Sequence, residues 1–238
     1  KMTKTIDINE IKQKIFKNLE PSGWSRILKS FIFSSDFENI IKHLIKNSKD
    51  NQRFTPTLKQ LFRAFEECPY DELKVVIVGQ DPYPKLGVAD GIAFSCSNTM
   101  KQQPSLKFIL DEVNRTVYDG VGQSHDPDLT RWANQGILLL NTALTTTVGK
   151  VGQHIHIWKP FLAYIFDWLT WHNPGLIYIY MGKQAQDWAE CVNDTSYKFM
   201  VNHPASAVYN KGQNWDCKDV FNKTNKILLQ NNNLSLTW

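Results

Sequence analysis

The stretch Leu73-Lys74-Val75-Val76-Ile77-Val78-Gly79 is short, rich in β-branched residues and almost continuously apolar, and it breaks off into Gln80-Asp81-Pro82-Tyr83. A strand with one wet face would alternate; an unbroken run is what a parallel strand buried on both faces requires. Similar runs recur at Ile137 to Leu140, Leu176 to Met181 and Phe199 to Val201, so four buried strands are expected. Between them the apolar spacing turns helical. Leu106, Ile109, Leu110, Val113 and Val117 share one face, and Pro160 to Trp171 and Asp219 to Leu229 follow the same rule. Strands alternating with helices make an α/β protein, read here as a three-layer sandwich with a central four-stranded parallel sheet flanked by helices.

Upstream, the spacing is helical only, through Ile11, Ile15 and Leu19, then Ile27, Phe31 and Ile32, then Ile40, Ile41, Leu44 and Ile45. Pro56 is expected to open a further helix carrying Leu58, Leu61, Phe62 and Phe65. No repeat or linker interrupts the chain. A single domain is favoured, with residues 1–54 a helical segment packed on the core.

The 238 residues carry 27 Lys and Arg against 23 Asp and Glu, a net charge of +4. At 42% hydrophobic and 12% aromatic the chain has ample material for a core, which excludes disordered and low-complexity classes. Residues 1–70 hold 13 basic and 8 acidic side chains and the remainder 14 and 15, so the basic excess is confined to the first third. That permits a nucleic-acid partner without announcing one. Cys68, Cys96, Cys191 and Cys217 are scattered, with no zinc or iron–sulfur spacing, and a reducing intracellular setting is the simpler expectation. No apolar run approaches the roughly 20 residues of a membrane span. The pair His154 and His156 would share one face of a strand, yet no third ligand lies nearby, and no metal is expected.

In open parallel sheets, ligands bind beyond the carboxyl ends of the strands. The first strand ends at Gln80-Asp81-Pro82-Tyr83, the second at Asn141 and the fourth at Asn202-His203-Pro204. Singly, each has an ordinary structural explanation: Asp-Pro as a turn, Asn141 as a cap, His203 as a hydrogen-bonded core histidine. Together they bring a carboxylate, an amide and an imidazole to one rim. Met181-Gly182-Lys183, at the third strand end, looks like a helix start with less obvious chemistry.

Those residues stand within a longer ordered set: Gly79-Gln80-Asp81-Pro82-Tyr83, Gly91-Ile92-Ala93-Phe94-Ser95, Pro104-Ser105-Leu106, Trp132 to Thr142, and His203-Pro204 followed by Val208-Tyr209. The set resembles the family 1 uracil-DNA glycosylases over about residues 55 to 230. The resemblance implies a catalytic domain at 55–238 that hydrolyses the N-glycosidic bond of deoxyuridine in DNA, without a cofactor. It implies Asp81 and His203 as the catalytic pair, and Gln80, Tyr83, Phe94 and Asn141 as the uracil site. Pro82, Ser105, Ser206, Ala207, Val208 and Tyr209 are implied contacts to DNA. The expected partners are uracil-containing DNA, single- or double-stranded, and a proteinaceous uracil-glycosylase inhibitor. A monomer in the nucleus or cytoplasm is expected, and the Lys, Asn and Ile bias fits a large DNA virus or a low-GC organism.

Two departures from the family pattern stand out. Pro84 replaces the histidine that commonly follows the tyrosine of the Gly-Gln-Asp-Pro-Tyr motif. The His203-Pro204-Ala205-Ser206-Ala207-Val208-Tyr209 segment is one residue shorter than the family's, and the leucine that fills the vacated base stack is missing. The competing expectation is a DNA-binding replication-accessory protein whose glycosylase chemistry is weak or lost.

Overall fold

The computed structural model describes residues 6–209 and 214–238. Helices α1 (Ile8–Asn18), α2 (Ser25–Ile32) and α3 (Ser35–Lys49) precede strand β1 (Phe54–Thr55) and the short helix α4 (Arg63–Glu66). Strand β2 (Val75–Gly79), helices α5 (Pro104–Val117) and α6 (Thr130–Ala133), and strands β3 (Ile137–Asn141) and β4 (Thr146–Thr147) follow. The chain ends with α7 (Lys159–His172), β5 (Ile177–Met181), α8 (Lys183–Gln186), β6 (Tyr197–Val201), α9 (Ser206–Tyr209) and α10 (Val220–Gln230). Local chemistry accounts for several starts. Asp7 accepts the Asn9 and Glu10 N–H groups at the head of α1, Ser34 accepts Phe37 N–H at the head of α3, and α5 and α7 each carry proline in the first turn.

The main sheet is parallel, in the order β3-β2-β5-β6. Every residue of β2 and β5 is buried, as two covered faces demand. The chain starts at β2, steps to β3 on one side, then crosses back to β5 on the other, so its direction of winding reverses at the carboxyl end of β2. Register fixes the rim: Gly79 lies opposite Asn141, and Met181 opposite Val201.

One hydrophobic cluster runs through the whole fold and includes Ile15, Phe31, Phe37 and Leu44 of the first three helices. Phe31 meets Phe161 at 5.0 Å between ring centres and Phe37 meets Phe62 at 5.7 Å. Trp24 Nε1 donates to Cys68 O and the Tyr164 hydroxyl to Ile27 O. A second aromatic group, Trp132, Phe221 and Trp238, joins α6 and α10.

Three expectations are corrected in detail, and one element is added. The strand at 199–201 is an edge, longer than expected and largely uncovered, with Tyr197 and Met200 exposed. The helix expected from Pro56 is two short pieces, a 3-10 turn at Leu58–Gln60 and α4, because Phe62 leaves helical dihedrals (φ −109°, ψ 21°) on its way into the core. Residues 153–158 form turns rather than a strand, and His154 is buried with its ring between the Thr145 and Thr147 hydroxyls. A two-residue antiparallel ribbon, β1 with β4, was not anticipated; runs that short leave no periodicity to read.

Candidate active site

The loops that leave β2 and β3 are laced together. Gly79 O accepts Thr142 N–H at 3.0 Å, while Gln80 O accepts the Thr142 hydroxyl at 2.6 Å and Ala143 N–H at 3.1 Å. This fixes the backbone on which Asp81 and Asn141 stand. Gly79 also leaves necessary space, since a Cβ there would lie 2.6 Å from Asn141 Oδ1 and 3.2 Å from the Phe94 ring. Beyond the strand ends opens a cavity of about 350 Å³. Gln80, Asp81, Pro82, Tyr83, Phe94, Ser105, Asn141 and His203 all line it, together with Pro84, Ile92, Leu144, Val151 and Tyr209. Phe94 lies 5.7 Å from the His203 ring. A flat apolar ring, an amide, an imidazole and a carboxylate thus surround a space suited to one planar heterocycle.

Asp81 Oδ2 accepts the Gly152 N–H. Burial raises its pKa above the ordinary carboxylate value, and the Gly152 N–H and the Thr146 hydroxyl pull it back. His203 is half-buried, and burial lowers its pKa below the ordinary imidazole value. Its Nδ1 accepts Ala205 N–H at 3.1 Å, so in the neutral ring the proton sits on Nε2. The site therefore holds an uncharged N–H donor opposite a carboxylate. Tyr83 donates its hydroxyl to Phe94 O at 2.7 Å, and burial pushes its phenol pKa well up, which keeps it protonated.

The loop expected to meet DNA is sorted by its helix. In α9, Ala207 is turned inward and 2% exposed, which leaves its backbone and not its side chain for the expected contact with a duplex. Val208 is 54% and Tyr209 86% exposed, and only Tyr209 of the three lines the cavity mouth. Ser206 stays outside the cavity lining, its N–H held by His203 O at 2.9 Å. Ser105 sits in the first turn of α5 and reaches the cavity wall.

Sequence reasoning missed Thr146 of β4, whose hydroxyl reaches Asp81, and from the loop after β4 Gly152, whose N–H donates to Asp81, and Val151, which lines the cavity. It also passed over Gly182. That residue has φ 91°, and a Cβ there would lie 2.9 Å from His203 Cβ, so the glycine just after β5 lets His203 approach. Its position just past a strand end was the available signal.

The family model for the uracil DNA glycosylase superfamily matches residues 65–229, and the chain belongs to that superfamily. Within it, the relatives are uracil-DNA glycosylases. That of Acinetobacter baumannii (strain SDF) is 33% identical over 94% of both chains, and that of Buchnera aphidicola subsp. Baizongia pistaciae (strain Bp) is 34% identical over 91% of this chain and 96% of its own. The crystal structure of mimivirus uracil-DNA glycosylase superposes with a TM-score of 0.81 at 26% identity, covering 94% of this chain and 88% of that one. The mimivirus UNG variant Y322L in complex with UGI matches at the same TM-score and 25% identity, covering 94% and 90%.

Proposed function

We propose that this chain removes uracil from DNA for base excision repair with the following division of labour. The observation that carries the reading is the convergence of Asp81 and an Nε2-protonated His203 on one cavity with Asn141, Phe94 and Tyr83. A base inside a duplex is out of reach, so the nucleotide is extruded and its uracil ring enters the cavity. There it stacks on Phe94. Asn141 donates from its amide nitrogen to O4 and accepts the N3 proton; cytosine reverses both polarities and is refused. Tyr83 stands against C5, where thymine carries a methyl.

The bond from N1 to C1′ breaks with its electron pair going to N1, leaving uracil as an anion and positive charge on the sugar. The Nε2–H of His203 donates to O2 and stabilises the anion as an oxyanion-hole donor does. Asp81, ionised, faces the sugar and orients a water whose oxygen bonds C1′; the water's proton passes to the carboxylate. The products are free uracil and an abasic site. Ser105 and Ser206 hold phosphates through hydroxyls, which supply no net charge. The exposed ring of Tyr209 at the cavity mouth supports it as the side chain that fills the vacated stack, in place of the absent leucine.

Two settings follow from the same reading. Free thiols at all four cysteines support an intracellular location, and no helix among the described residues is long and apolar enough to cross a membrane. The likeness to a mimivirus enzyme crystallised with UGI supports a proteinaceous inhibitor as a second partner. Incubation with uracil-containing single- and double-stranded oligonucleotides should release free uracil, and no release above buffer refutes the assignment.

A further inference from the structure

Asp90 is fully buried, and nothing in the chemistry above uses it. Its Oδ1 accepts Ile92 N–H at 3.0 Å; its Oδ2 accepts Ser97 N–H at 2.9 Å and the Ser97 hydroxyl at 2.6 Å. Arg63 stands 3.4 Å from the same Oδ2. The guanidinium also donates to Asp90 O at 3.2 Å, to Ser97 Oγ at 3.1 Å and to Thr130 Oγ1 at 2.8 Å, with Glu67 4.0 Å from its Nε. A buried carboxylate satisfied this fully is rigid.

What it grips is the turn that carries Phe94. The two backbone donors, Ile92 and Ser97, flank that residue in sequence, so the carboxylate closes a bracket across it. Inside the bracket Phe94 has φ 68°, and Gly91 has φ 91° with no room for a Cβ against Gln60 O. An aromatic residue in the left-handed region holds only where its surroundings over-determine it. The strained peptide also accepts the Tyr83 hydroxyl through Phe94 O. The floor of the cavity and the wall at base C5 hang from one carbonyl.

We propose that Asp90, braced by Arg63, is a positioning residue that sets discrimination at base C5, acting through the Phe94 backbone on the Tyr83 ring. The proposal rests on the roles assigned above to Phe94 and Tyr83. A methyl at C5 fits only if that ring moves outward, and a charge-assisted clamp opposes the movement more strongly than neutral hydrogen bonds.

The test uses single-stranded oligonucleotides bearing uracil, 5-bromouracil or thymine, so that extrusion from a duplex plays no part, with single-turnover release measured for wild type and variants. Asp90→Asn keeps the side-chain shape, but its amide nitrogen cannot accept from Ser97 and Arg63 loses the nearer of its two counter-charges. Ser97→Ala removes the hydroxyl's bond to Asp90 and its acceptance from Arg63 but keeps the backbone N–H bond and the carboxylate, and it serves if Asp90→Asn fails to fold. The ratio of 5-bromouracil to uracil release should rise about tenfold in Asp90→Asn and about threefold in Ser97→Ala. Tyr83→Phe cuts the tether to Phe94 O and should raise the ratio as well, and adding Ser97→Ala to it should give no further rise. A merely structural role slows all three substrates by one factor; an unmoved ratio, or additive shifts in the double variant, overturns the proposal. A wild-type chain that releases no uracil overturns the functional reading and the proposal with it.

Discussion

The Cβ that Gly79 lacks would stand 2.6 Å from Asn141 Oδ1, and the two residues face each other across the β2–β3 ladder. The amide that reads the base is therefore seated by an absence on the neighbouring strand. Gly79→Ala should push the Asn141 side chain out of register with the base and lower kcat/KM for uracil release about a hundredfold. Thermal melts should show the sheet intact, and release assays on the same preparation should show the loss. Unchanged kcat/KM would mean that Asn141 has room to move.

Asp81→Asn should lower the single-turnover rate by about 10² to 10⁴ while leaving affinity for DNA largely intact. The pH dependence has a definite sign. Burial raises the Asp81 pKa, so the wild-type rate should begin to fall in acid nearer neutrality than an exposed aspartate would dictate. The variant should lack that limb. A pH–rate profile on single-stranded substrate reads both.

Ala207 and Tyr209 separate two uses of one helix. Ala207→Leu forces extra methylenes into a packed interior and should cost about 1–3 kcal/mol of stability, with no gain in rate on duplex DNA. Tyr209→Ala should slow release from duplex about tenfold and leave the single-stranded rate unchanged. Denaturant melts and paired release assays distinguish the two.

His154 predicts how stability changes with pH. Burial first, then the neighbouring His43 and His156, lower its pKa from 6.5 to about 4. Above the unfolded value both states are neutral and the fold keeps its full stability. As the pH drops from there toward the folded value, the unfolded chain takes up a proton that the folded chain refuses. Stability should fall by up to about 1.4 kcal/mol per pH unit from this residue, and His203, shifted the same way, adds to it. Urea melts at several pH values should show the slope, and His154→Gln should flatten it.

How much of this was legible in sequence follows from what each signal needs. Buried parallel strands announce themselves as unbroken apolar runs, and the ends of β2, β3 and β6 carry Asp81, Asn141 and His203 in plain view. The closure over Asp81 left no such trace. Gly152 acts through its backbone N–H and Gly182 through a missing Cβ, and neither contribution is a side-chain type. Nor could spacing reveal that Ala207 faces inward, because a four-residue helix offers less than a full period beyond its own turn. The Asp90 bracket joins positions that look, in sequence, like an ordinary loop.

The ribbon of Phe54–Thr55 with Thr146–Thr147 makes the carboxylate at Asp81 depend on the first third of the chain. The superfamily match begins at residue 65, after the first three helices and β1. Yet Thr146 sits in that ribbon and also reaches Asp81, and Phe31 and Phe37 fill the core beside Phe161 and Phe62. Loss of the amino-terminal helices and β1 would thus strip support from a carboxylate far along the chain.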